Sequence, residues 1–145
     1  MASRPEIIIT RYSVTGPAQD PNYRQTVVCG RHEMLADEPV ARGGQDAGPE
    51  PFAYLLASLG SCTSITLRMY AERKGWNIGS VAVSLVLREG AAGKRIERSV
   101  TLSESLDAAQ HAKLSEVCER TPVTLAVKSG IDLHTTIESK APTPL

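Results

Sequence analysis

Three cysteines, Cys29, Cys62 and Cys118, are the residues of this chain with the widest range of chemistry open to them: disulfide, metal ligand, or thiolate nucleophile. An odd count in a chain of 145 residues, long enough to build its own core, does not read as the disulfide framework of a small secreted domain. A metal site is disfavoured as well. Cys29 and His32 are close in sequence, but no second Cys or His pair lies nearby to complete a tetrahedral set. Thiol chemistry in a reducing compartment remains. Cys29, flanked by valines, reads as a small packed hydrophobe. Cys62 sits among Gly60, Ser61, Thr63 and Ser64, in surroundings that are small and hydroxyl-rich. It lies about three turns inside a predicted helix, where the helix dipole contributes little, so a cation from another segment must supply the field that activates a thiolate. Cys118 lies on an apolar helical stripe. If the two helices pack together, these thiols form an attacking and a resolving pair.

Other chemistries find less support. His32, His111 and His134 are scattered and no GxSxG accompanies them, so a histidine-based hydrolase is not indicated. Gly43, Gly44 and Gly48 lack the GxGxxG order and the strand-to-helix context of a dinucleotide fingerprint; GGQDAGPEP reads as a turn-rich entry to a helix. Sixteen basic residues balance sixteen acidic ones, and aromatics are 4%, which argues against a nucleic-acid footprint or a base-stacking platform. Hydrophobic residues at 41% and charged ones at 22% are those of one globular domain, taken as residues 1–145. The opening MASRPEIIIT has no apolar h-region, and the expected location is the cytoplasm.

The elements that must position the thiols follow from periodicity. Ile7 to Val14 and Gln25 to Arg31 read as a β-hairpin with a long loop, and His32 to Leu35 as a short third strand. From Pro51 to Leu67 the chain carries no charge, then turns to RMYAERKGW. Pro51 suits the first helical position, Arg68, Arg73 and Lys74 the C-terminal dipole, and Gly75 the position after the helix. This long helix is too short in its uncharged part and too rich in Ser and Thr to span a membrane, and it needs covering on more than one side. SVAVSLVL and RIERSVTL alternate as a second hairpin, in which Arg98 shares the face of Ile96 and Val100 and needs a sheet end or a buried partner. Asp107 with Gln110 forms a capping box for a helix to about Glu119, stopped by Thr121 and Pro122. VTLAV and IDLHTTI are expected as closing strands around Gly130. Antiparallel strand clusters with two helices make an α+β fold.

The runs HEMLADEP, GGQDAGPEPFAYLLASLGSCTSITLRMYAERKGW, RIERSVTL and CERTPVTLAVKSG closely resemble the OsmC/Ohr family of organic hydroperoxide reductases, in its OsmC-like branch, over roughly residues 25 to 138. The resemblance implies an intertwined homodimer, with antiparallel sheets around a long central helix and active sites at the interface. It also implies a thiol peroxidase that uses neither metal nor organic cofactor: Cys62 attacks an organic hydroperoxide, Cys118 resolves, and a lipoyl or thioredoxin-like dithiol restores both thiols. Two positions depart from the family pattern. Its second cysteine usually stands immediately before a Pro-Val pair, where Thr121 stands here and Cys118 lies three residues earlier. Its glutamate usually follows the helix-starting proline, where Phe52 and Ala53 stand here; Glu50, just before Pro51, is the substitute. Arg24 is preferred among Arg11, Arg24, Arg31 and Arg42 as the activating cation, and Phe52 and Tyr54 as apolar substrate contacts. The competing reading is a non-catalytic OsmC-like dimer that binds a small hydrophobic ligand.

Overall fold

A computed structural model describes residues 12–18 and 23–140. The chain divides into two compact units between Ser58 and Leu59, inside the long helix.

In the first unit, β1 (Tyr12–Thr15), β2 (Gln25–Cys29) and β3 (His32–Ala36) form an antiparallel sheet in that order. Gly30 and Arg31 make the two-residue turn between β2 and β3, with Gly30 at φ 61°, a left-handed conformation that a side chain would strain. The expected first strand begins at Ile7, and its part before Tyr12 lies outside the described residues, as does Arg11.

Helix α1 runs Pro51–Lys74, the extent its sequence signals require. Pro51 opens it. At the other end Gly75 takes φ 68°, Trp76 N–H reaches back to the Ala71 carbonyl at 2.9 Å, and Gly75 N–H donates to the Glu72 carbonyl. Such a left-handed cap satisfies carbonyls that the helix would otherwise leave bare.

In the second unit, β4 (Val81–Gly90) and β5 (Gly93–Leu102) pair along their whole length, with Leu85 opposite Arg98 and Leu87 opposite Ile96. Leu59, Gly60, Thr63, Leu67 and Ala71 are the buried positions of α1, a stripe at helical spacing. Gly60 lies tight against the hairpin: a Cβ there would stand 2.8 Å from Leu85 Cδ1. Leu67, Ala71, Ile78 and Leu114 form the core, and Val81, Val100, Leu102, Leu106 and Cys118 pack on it.

Helix α2 (Ala108–Cys118) starts with the expected capping box: Asp107 accepts from Gln110 N–H at 2.7 Å, and the Gln110 side chain accepts from Asp107 N–H at 3.1 Å. The next segment corrects the expectation of a strand at VTLAV. Pro122–Ser129 is a helix, α3, with Thr121 as its N-cap, its hydroxyl accepting from Thr124 N–H. Thr121 and Pro122 end one helix and begin another, because Pro at the first helical position lacks only a donor that would be unpaired anyway. IDLHTTI is likewise not a strand. Residues 131–140 carry no regular structure, and Ile131, Leu133 and Ile137 stand 79%, 88% and 90% exposed. The alternation is right for a strand, but strand identity needs a neighbour to receive its hydrogen bonds, and none of the described strands pairs with it. Among the described residues, no helix is long and apolar enough to cross a membrane.

Candidate active site

Cys62 is half-buried on α1, one residue before Thr63, which is fully buried. On the turns that follow, Ile65 and Met69 are exposed at 58% and 57%. The thiol therefore borders an apolar helix face open to solvent in the isolated chain, while the adjacent Thr63 turns inward. All three cysteines are free thiols, and Cys29 is half-buried in β2.

Cys118 is the last residue of α2. Burial pushes its thiol up from the ordinary value, the Arg98 guanidinium opposes that shift, and Glu119 adds to it; the net direction is upward. The side chain lines a cavity of about 340 Å³ whose walls include Leu67, Val100, Leu102, Leu106 and Leu114.

Arg98 joins these segments. Its position in β5 places it on the inward face of the hairpin, as the alternation requires, and its side chain is 13% exposed. One guanidinium nitrogen donates to Thr63 Oγ1 at 3.0 Å and to Thr124 Oγ1 at 2.7 Å; the other donates to the Cys118 carbonyl at 2.9 Å. The Glu119 carboxylate lies 3.8 Å away. Thr63 also donates to the Leu59 carbonyl at 2.7 Å, and Thr124 Oγ1 lies 2.6 Å from Thr121 Oγ1. One planar fork thus ties the residue beside Cys62, the backbone of Cys118 and the start of α3 together. Arg is suited to this because its donors are fixed in one plane and its charge persists at any physiological pH. Sequence alone marks Arg98 as needing a partner but assigns it no place in the site; its signal is a charge between two apolar residues on the inward register.

The other expected site residues lie in the first unit. The Glu50 carboxylate lies 2.7 Å from the Arg42 guanidinium as an ion pair, and Glu38 lies 3.3 Å from the same guanidinium. Arg42, one of the competing arginines, is thus paired with Glu50. Arg24 acts electrostatically on Asp37, a residue that sequence reasoning passes over. Asp37 is 2% exposed and accepts backbone N–H groups from Glu38 at 2.8 Å, Ala47 at 3.1 Å and Gln45 at 3.2 Å, so one carboxylate organises the loop that leads into α1. Gly44 is required in that loop: a Cβ would fall 1.9 Å from the Glu38 carbonyl oxygen. Phe52 is 40% exposed on the first turn of α1, and the Tyr54 hydroxyl donates to the Leu35 carbonyl.

Burial raises the Asp37 carboxyl, but the three amides and Arg24 outweigh it and hold the group below its ordinary value. Its stabilising contribution is therefore complete above the unfolded-state value near 3.8 and is lost as pH falls through the lower folded value. Asp37→Asn is expected to lower the melting temperature at pH 5, with the wild-type and variant curves converging as pH falls towards 2. Thermal melts across that range check this, and parallel curves would contradict it.

Comparison with known proteins places these residues in a wider context. The family model described as OsmC-like protein matches residues 43–136. No curated protein matches the chain. Among solved structures, a Psychrobacter arcticus protein assigned to osmotic stress induction and the detoxification response aligns with a TM-score of 0.70 at 19% identity, covering 85% of this chain and 91% of that one. An organic hydroperoxide resistance protein OsmC from Legionella pneumophila aligns with a TM-score of 0.59 at 16% identity, covering 88% and 94%. The organic hydroperoxide resistance protein OhrB of Bacillus subtilis aligns with a TM-score of 0.57 at 17% identity, covering 86% and 94%. At such identities these likenesses establish a shared fold.

Proposed function

Since this chain belongs to the OsmC-like protein family, we propose that it is a thiol-dependent peroxidase that reduces organic hydroperoxides. The observation that carries this reading is the convergence of the Cys62 and Cys118 segments on the single guanidinium of Arg98. Hydroperoxide resistance proteins of the same fold support the substrate class.

The chemistry is a two-step exchange. The Cys62 thiolate attacks one peroxide oxygen; the O–O bond breaks, the alcohol leaves after taking a proton, and Cys62 becomes a sulfenic acid. The Cys118 sulfur then attacks the sulfenic sulfur, the S–O bond breaks, and water leaves as the disulfide forms. A dithiol reductant of lipoyl or thioredoxin-like type returns both thiols and is itself oxidised to a disulfide.

The cation that favours the Cys62 thiolate is assigned to an arginine of the N-terminal segments. Arg24 remains the first candidate, and Arg42, held by Glu50, is its competitor. Phe52 and Tyr54 are proposed as the apolar contacts that favour alkyl hydroperoxides over hydrogen peroxide. A second copy of the chain is proposed to cover the exposed face of Ile65 and Met69 beside Cys62, giving a homodimer in a reducing, cytoplasmic setting. The test is consumption of cumene hydroperoxide and of hydrogen peroxide with dihydrolipoamide or reduced thioredoxin as electron donor. Faster turnover of the organic peroxide is expected; no turnover of either, with every donor, would contradict the proposal.

A second reading, a non-catalytic dimer that binds a small hydrophobic ligand, is favoured by the leucine-lined cavity beside Cys118 and by the raised thiol there. It predicts an inert Cys62.

A further inference from the structure

We propose that Arg98 is the positioning residue of the thiol pair: its guanidinium fixes the end of α2 that carries Cys118 against the stretch of α1 that carries Cys62. The proposal rests on the peroxidase reading for its kinetic consequence, but its structural basis stands apart from that reading. Disulfide closure requires two sulfurs to meet in a narrow geometry, with about 2.05 Å between them and their Cβ atoms roughly 3.5–4.5 Å apart. A helix terminus is the part of a helix most prone to fray. Cys118 is at such a terminus, and the next helix begins only four residues later, at Pro122. Arg98 holds both sides of this junction, through the Cys118 carbonyl and the Thr124 hydroxyl, and anchors them to Thr63. Thr124 also donates to the Cys118 carbonyl at 3.2 Å, so that oxygen has two donors.

Charge acts in the same direction as geometry. The groups that face Cys118 are Arg98 from β5, Glu119 at the end of α2, and Glu104 and His111 on the cavity wall; Lys128 of α3 pairs with Glu119 and offsets its charge. Arg98 is the cation that opposes the effect of burial on this thiol. It therefore supports the thiolate that must attack, as well as the place from which it attacks.

Two substitutions separate the effects. Arg98→Lys keeps the charge but replaces a rigid fork with one ammonium on a flexible stem, which cannot serve all three acceptors in the same geometry. After one equivalent of cumene hydroperoxide, dimedone trapping should show Cys62 sulfenic acid forming within about twofold of the wild-type rate, and closure of the Cys62–Cys118 disulfide slowed on the order of tenfold or more. Wild-type closure in Arg98→Lys would overturn the positioning role. Arg98→Gln, placed in a Cys62→Ser background, removes the charge; alkylation of Cys118 by iodoacetamide at pH 8 should slow roughly tenfold. Faster alkylation would mean that Arg98 only holds the core closed, and an unchanged rate that it does not act on the thiol; either result overturns the proposal. If the wild type forms no Cys62 sulfenic acid, the peroxidase reading fails and the alkylation rates alone decide the role of Arg98.

Discussion

Cys62→Ser is expected to abolish hydroperoxide consumption, leaving only the rate of the buffer. A serine hydroxyl at this position has no accessible anion near neutral pH and no adjacent histidine base in the sequence to make one, so neither the first attack nor the sulfenic acid survives the substitution. Cys118→Ser has a different expected signature. Cys62 should still be oxidised in a single turnover, but the sulfenic acid should persist and pass to sulfinic acid with excess peroxide. Mass spectrometry of each variant, after a graded dose of cumene hydroperoxide, reads both outcomes as mass additions at Cys62. An inert Cys62 in the Cys118→Ser protein would favour the ligand-binding reading.

Leu67→Ala is expected to produce the largest loss of stability. Leu67 is 1% exposed, one turn beyond Thr63, and it lies in the core with Ala71, Ile78 and Leu114. Truncating a fully buried leucine removes its transfer free energy and leaves a void that the surroundings fill only in part, at a cost of about 2–5 kcal/mol. The site makes the upper part of that range the expectation, because Leu67 already borders the 340 Å³ cavity beside Cys118 and its loss enlarges that space. Urea denaturation measures the difference. A second consequence is chemical: with the wall opened, Cys118 should be alkylated faster than in the wild type while Cys62 changes little. A loss below about 1 kcal/mol would show that the second unit does not depend on this cluster.

Particular residues explain which parts of this structure can be read in advance. Pro51, Gly75 and the Asp107–Gln110 box are local signals, and the helix boundaries follow them because capping depends on neighbours a few residues apart. The inward place of Arg98 is legible for a similar reason, since strand alternation leaves it no other face. VTLAV is ambiguous: a five-residue apolar run suits a buried strand or a short helix, and Thr121–Pro122 decides it only when read as the start of a helix. IDLHTTI carries strand alternation without a partner among the described strands, which no periodicity can reveal. The arginine beside Glu50 lies beyond sequence for another reason. Arg24 and Arg42 are equivalent as residue types, and the loop folded around Asp37, with Gly44 pressed onto the Glu38 carbonyl, is what brings Arg42 to the carboxylate.

The proposed cycle requires two thiols to disappear together, and a thiol count tests this most directly. Wild-type protein treated with one equivalent of cumene hydroperoxide per chain should lose two of its three thiols, and peptide mapping should find Cys62 joined to Cys118 with Cys29 still reduced. An unchanged count of three would contradict the account.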